Sequence, residues 1–206
     1  MIPRRLIRTV PQHTTAEQEA YWEKACALHP AWEHVTLRDP VDPTDFPSTS
    51  AYWVGCETGA QLADLIRVEE VYRRGGVYID SDVEVLRPFD SLLGASMFAA
   101  WQDHSWVCNA VFGAEPGHTA LGTILKLSIA RQGAGTLAAG IETFHEVVHN
   151  RDDILLLPPG AFYPYHWTVR DLYAAEHPGG QGLREAISED NPWAFCMHHW
   201  HGSWKG

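Results

Sequence analysis

The apolar and polar positions of this chain fall into short periods that mark out alternating strands and helices. Apolar and basic residues mix through positions 2–10 and stop at Pro11, as a first strand would. Thr15-Ala-Glu-Gln18 has the spacing of a capping box, and Tyr21, Ala25 and Leu28 recur on one face of the helix it opens, which Pro30 ends. Residues 33–37 read as a short strand and the proline-rich stretch 39–50 as a loop. A second capping-box spacing, Thr58-Gly-Ala-Gln61, opens a helix to Arg74 whose period runs through Leu62, Leu65, Ile66, Val68, Glu69 and Tyr72. Arg73 and Arg74 suit the last turn of that helix and Gly75 suits its end. Val77-Tyr-Ile79 is a continuous apolar run, fit for the middle of a buried sheet. Further strands are expected at 97–101 and 107–112, helices near 119–131 and 137–148, and an apolar run at 154–157 ends at Pro158-Pro159. With no repeat, linker or low-complexity segment, the pattern predicts one α/β domain over residues 1–206 around a partly parallel sheet.

Composition narrows the function. A formal charge of −11 argues against binding a nucleic-acid backbone, which needs Lys and Arg to neutralise phosphates. It also means that a phosphate-bearing substrate would need a local cation, either an arginine or a metal. Nine Trp exceed ordinary usage and suit positions where one face packs and the other meets a ligand, although core filling accounts for most tryptophans. The cysteines Cys26, Cys56, Cys108 and Cys196 are scattered and form no zinc or redox spacing. No apolar run reaches signal-peptide or membrane-spanning length, and the expectation is a cytoplasmic protein without a transmembrane segment.

The chemistry concentrates at Asp80-Ser81-Asp82, which follows the apolar run 77–79. In extended chain, side chains at i and i+2 share a face, so Asp80 and Asp82 point the same way at a strand's C-terminal end, where open α/β sheets bind ligands. Two adjacent carboxylates repel unless a cation joins them, and hard oxygen ligands suit Mg²⁺ or Mn²⁺, which can clamp a diphosphate. Such a pair can also be a solvated turn. Asp64 and Arg67 lie three apart on the preceding helix, either as an ordinary surface ion pair or as polar groups beside a donor pocket.

The segment 63–88, through Asp64, Arg67, Tyr72, Gly75-Gly76, Tyr78, Asp80, Asp82 and Pro88, resembles without a gap the signature of glycosyltransferase family 32, the sugar-binding region containing the DXD motif. The same spacing resembles, more distantly, the large clostridial glucosylating toxins. The opening Ile2-Pro-Arg-Arg-Leu-Ile-Arg8 is similar to the family's first strand, which lines the nucleoside pocket. There Arg8 and Thr9 depart from the usual His and Gln. The stretch from Asn109 to His118 resembles a family N…A-x-P-G-H segment, with His118 placed to cap a helix. Cys196 to Trp204 resembles its H-H-x-x-G-S-W ending.

The resemblance implies a GT-A fold with a mixed, mostly parallel central sheet, its donor site mainly in 1–118 and acceptor and tail elements in 119–206. It implies a nucleoside-diphosphate sugar donor, UDP- or GDP-hexose, and a Mn²⁺ or Mg²⁺ cofactor. Asp64, Arg67, Asp80 and Asp82 would carry catalysis. Ile7, Arg8, Asp64, Arg67, Tyr78, Asp80, Ser81, Asn109, Ser203 and Trp204 would bind the donor. Asp80, Asp82 and His198 would hold the metal, with His199 and His201 in structural roles. The aromatic cluster 162–167 could stack an acceptor sugar or simply cover the sheet. The expected reaction is hexose transfer to a hydroxyl of unspecified acceptor, with retention of configuration. Two other readings stand beside it: a D-x-D phosphohydrolase of the HAD type, and a non-catalytic sugar-nucleotide or metal-binding module.

Overall fold

The computed structural model describes residues 1–169, 187 and 189–201. Among the described residues, eight strands and four α-helices are bounded, in the order β1 (Arg5–Val10), α1 (Ala16–Leu28), β2 (Glu33–Arg38), α2 (Gly59–Arg74), β3 (Gly76–Ile79), β4 (Val83–Val85), β5 (Met97–Trp101), β6 (Val107–Ala114), α3 (Thr119–Ala130), α4 (Thr143–Val148), β7 (Leu155–Leu157) and β8 (Cys196–His198). Six strands form the central sheet in the order β2-β1-β3-β6-β5-β7. Five run one way, and β6 runs against both its neighbours. The parallel partners are joined by crossovers that carry helices, as parallel pairing demands.

The period of two along the strands divides the core between the sheet's faces. Leu6, Val77, Ile79 and Phe98 point to one side, where Phe89 and Phe162 pack. Ile7, Tyr78, Ala99 and Phe112 point to the other, against Val68 and Val71 of α2 and Leu121 of α3.

Helix α2 is buried more fully than an amphipathic period requires, since every residue from Leu65 to Val71 is buried. Its two internal acids are satisfied on site. Glu69 accepts from the Ser48 amide at 2.8 Å and the Thr49 hydroxyl at 2.6 Å, and Glu70 pairs with Arg5 at 2.8 Å and Arg74 at 3.2 Å. The helix stops at Gly75 (φ 69°), and Gly76 (φ 126°) starts β3 at once. A Cβ on Gly75 would press on Pro3 and Pro116, and one on Gly76 would meet the Arg5 backbone, so the double glycine sets where β3 begins.

Several expectations change in detail. The capping box at Thr15 is complete, but at Thr58 it is half made: Gln61 turns its side chain to the Glu57 amide and the Gln132 carbonyl. The stretch 39–50 is loop with one 3₁₀ turn, Pro43–Asp45, and a second, Ser50–Gly55, begins at its end. The expected helix 137–148 begins as a π-helical turn, Ala138–Glu142, before α4. Strands β4 and β8 pair antiparallel as a separate ribbon, with Val83 opposite His198. No described helix is long and apolar enough to cross a membrane.

Candidate active site

Three elements converge beyond the C-terminal end of β3. Asp80 follows β3 directly, its amide bonding the Ala110 carbonyl of β6 at 2.8 Å, so the sheet fixes its position. Asp82 stands at the entry to β4. The β4–β8 ribbon brings His198 across, with Nε2 3.1 Å from Asp82 Oδ1. One ligand atom from each of Asp80, Asp82 and His198 lies within 4.8 Å of the others, the one such cluster among the described residues.

The chain after β8 closes around the same carboxylate. Trp200 adopts φ 56°, a left-handed conformation uncommon for a bulky residue, and the turn lets the His201 amide donate to Asp82 Oδ2 at 2.9 Å. The other histidines face away: His199 stacks on Tyr21 and bonds Glu84 at 3.2 Å, and His201 reaches Glu17. Ser203 and Trp204 lie outside the described residues.

Arg67 provides the positive charge from α2. Its guanidinium lies 2.8 Å from Asp80, 3.2 Å from Asp64 and 3.3 Å from the Asn109 carbonyl, and stacks over the Tyr78 ring at 4.8 Å. Burial works against this charge, but Asp80, Tyr78 and Asp64 outweigh it and keep Arg67 protonated. Asn109 donates to Asp64 at 2.8 Å, and Tyr78 donates to Asp80 at 2.6 Å while sharing a hydrogen bond with Thr9 at 2.7 Å. Ser81 accepts from Gln18 of α1.

Burial pushes the Asp64 carboxyl up to about 6 against the pull of Arg67, and it pushes Asp80 upward as well. Asp82 goes the other way. Burial opposes its ionisation, but the facing His198 and the His201 amide hold it below the usual carboxylate range. Asp82 in turn raises His198 despite that residue's burial. The two acids of the triplet are therefore unequal: Asp80 is balanced by an arginine and Asp82 by an imidazole.

Two expected donor contacts are not brought to this point. Ile7 is fully buried in the core against α2. Arg8 lies under α1, bonded to Glu19 and Thr36 and stacked on Trp22, with one terminal nitrogen buried and unpartnered among the described residues. Conversely, sequence reasoning missed Thr9 as the third member of the Tyr78–Asp80 relay. It also missed Glu84, fully buried and paired with Lys24 and His199, although Glu84 continues the i, i+2 alternation of Asp80 and Asp82. Gly140 was missed too: a Cβ there would clash with Asp64 Oδ2, so the π-helical turn abuts the carboxylate, and only the contact reveals it.

Residues 15–99 match the family model described as the glycosyltransferase sugar-binding region containing DXD motif. Over 97% of its length the chain is 28% identical to inositol phosphoceramide mannosyltransferase 3 of Schizosaccharomyces pombe, spanning 60% of that protein. Among solved structures it resembles PaToxG glycosyltransferase (TM-score 0.60, 14% identity, 91% of this chain and 78% of that one). It also resembles the galactosyltransferase LgtC in complex with donor and acceptor sugar analogues (TM-score 0.58, 11% identity, 96% and 87%). Over residues 15–99 the chain is thus similar to the glycosyltransferase sugar-binding region containing DXD motif, and its fold is that of GT-A glycosyltransferases.

Proposed function

We propose that this chain is a metal-dependent glycosyltransferase that moves a hexose from a nucleoside-diphosphate sugar to an acceptor hydroxyl, with retention at the anomeric carbon. The observation that carries the reading is the convergence of Asp80, Asp82 and His198 beside the Arg67–Asp64 pair.

The donor set fits a divalent cation. Two carboxylates and an imidazole make the mixed oxygen and nitrogen site that suits Mn²⁺, and Mg²⁺ would draw more on the two acids. The Nδ1 of His198 is buried without a hydrogen-bond partner among the described residues, so the ring has binding capacity to spare. A cation held there supplies Lewis-acid stabilisation of charge on the leaving diphosphate. The protein's own groups do the rest. Arg67 pairs with Asp80 and holds it in place, and Tyr78 donates to the same carboxylate oxygen. Asp64 and Asn109 present an acceptor and a donor to sugar hydroxyls from two different elements. The Asp82 carboxylate is fixed from behind by the His201 amide.

The yeast relative is a mannosyltransferase by name, so mannose is the first hexose to try. The test is to incubate the chain with Mn²⁺, a panel of UDP- and GDP-hexoses and simple hydroxyl acceptors. Turnover of one donor that disappears in Asp82→Asn supports the reading. Failure to turn over any donor, or unchanged turnover in that variant, overturns it, and an inverted product overturns retention alone.

A further inference from the structure

Glu84 is a carboxylate that the acidic site does not use, and its side chain is fully buried. A buried carboxylate is tolerated only where charges and hydrogen-bond donors meet it. Lys24 of α1 lies 2.7 Å from one oxygen and His199 Nε2 lies 3.2 Å from the other. A carboxylate only accepts hydrogen bonds, so His199 Nε2 carries the proton and Glu84 fixes the tautomer of that ring. Tyr21 stacks flat on the same imidazole, with centroids 4.6 Å apart.

Helix α1 therefore grips the chain that follows β8. Glu17, Tyr21 and Lys24 recur at i, i+4 and i+7 and share one face of the helix. The Tyr21 hydroxyl donates to one Glu17 oxygen at 2.7 Å, and His201 Nε2 lies 3.5 Å from the other. His199 and His201 are thus held on either side of Trp200 and its left-handed backbone. Such a conformation persists only where the surroundings over-determine it. Strand β8 alone does not: it has three residues and pairs with β4 only among the described residues, and a two-stranded ribbon is marginal by itself.

What the grip holds is aimed at Asp82. The His199 amide donates to the Asp82 carbonyl at 2.9 Å, and the His201 amide donates to Asp82 Oδ2 at 2.9 Å. His198 meets Oδ1 from the same segment. We propose that Glu84 is a positioning residue for cation binding, acting through His199 to set His198 and the His201 amide on Asp82. The inference rests on the metal-dependent reading of the site and adds a residue that touches neither cation nor donor.

The test is Mn²⁺ binding with UDP or GDP present, read by electron paramagnetic resonance of the free ion, beside the unfolding midpoint in chelator. His199→Phe keeps a ring for Tyr21 and removes the bond to Glu84. Glu84→Met keeps the length of the side chain and removes both oxygens. Each should weaken Mn²⁺ by about tenfold under conditions where the chain is folded, the lower end of the range for groups that orient metal ligands. The double variant should be no weaker than the weaker single one, because the two residues act as a unit; independent effects would multiply to about a hundredfold. A Glu84 that only stabilises the fold would lower the unfolding midpoint and leave Mn²⁺ affinity unchanged. That result, or multiplied losses in the double variant, overturns the assignment and leaves the cation site standing. If Glu84→Met does not fold, unchanged Mn²⁺ affinity in His199→Phe overturns it equally. A wild-type chain that takes up no Mn²⁺ overturns the cation site and the assignment together.

Discussion

Replacing Arg67 by methionine keeps the length and apolar stem of the side chain and removes its charge. Arg67 is buried, 2.8 Å from Asp80 and 3.2 Å from Asp64, so the variant leaves two carboxylates in a desolvated site without their counter-ion. Removing one partner of a buried ion pair costs about 3–5 kcal/mol, because the remaining charge is left unpaired. The carboxyls can relieve this by taking up protons, which makes the cost depend on pH. Even with Arg67 present, burial puts the Asp64 carboxyl at about 6, above its unfolded value near 4. A carboxyl raised on folding binds its proton preferentially in the folded state. Stability is then fullest below about pH 4 and falls as pH rises through the folded value. For wild-type Asp64 that fall amounts to at most about 3 kcal/mol. Without Arg67 the Asp64 and Asp80 values move further up, and the fall extends beyond pH 6. Arg67→Met should therefore lose about 3–5 kcal/mol at pH 8 and about half of that or less at pH 5. Urea unfolding in chelator at both pH values measures this, and adding Asp64→Asn should restore part of the loss at pH 8. A loss below about 1 kcal/mol at pH 8, or the same loss at both pH values, would refute the electrostatic reasoning.

Two other substitutions probe the surroundings of the same site. Gly140→Ala places a methyl group against the Asp64 carboxylate and should cost about 1–3 kcal/mol by overpacking while weakening donor binding, read by unfolding and by nucleotide-sugar titration; stability and binding equal to wild type would contradict the close contact. Tyr78→Phe removes the hydroxyl that joins Thr9 to Asp80 and should lower metal affinity by about 10–100-fold for about 1 kcal/mol of stability; an unchanged metal titration would show that the relay does not position Asp80.

The parts legible in the sequence were those set by short-range rules. The Thr58 cap, the Gly75-Gly76 stop and the apolar run after it specify a helix and a buried strand from neighbouring residues alone, and that unit carries Asp64, Arg67, Asp80 and Asp82. What escaped depends on partners far away in the chain. Nothing local to Val107–Ala114 states that β6 runs against its neighbours. The pairing of Val83 with His198 closes a loop of more than a hundred residues, so the role of His198 came from resemblance and its position from the fold. No local rule buries Glu69, Glu70 or Glu84, yet each is fully buried because a distant arginine, lysine, histidine or backbone amide meets it. Ile7 shows the reverse. The strand was found, but the alternation along it turns that side chain into the core against α2.

The claim on which the rest depends is that Asp80, Asp82 and His198 form one divalent cation site. Electron paramagnetic resonance of free Mn²⁺, titrated with the chain in the presence of a nucleoside diphosphate, measures it directly. Wild type should remove one equivalent of Mn²⁺ signal per chain, and Asp82→Asn, which keeps the shape of the side chain and removes its charge, should weaken binding by at least about tenfold. A wild-type titration no different from buffer, or an Asp82→Asn variant that binds Mn²⁺ as well as wild type, would contradict the account.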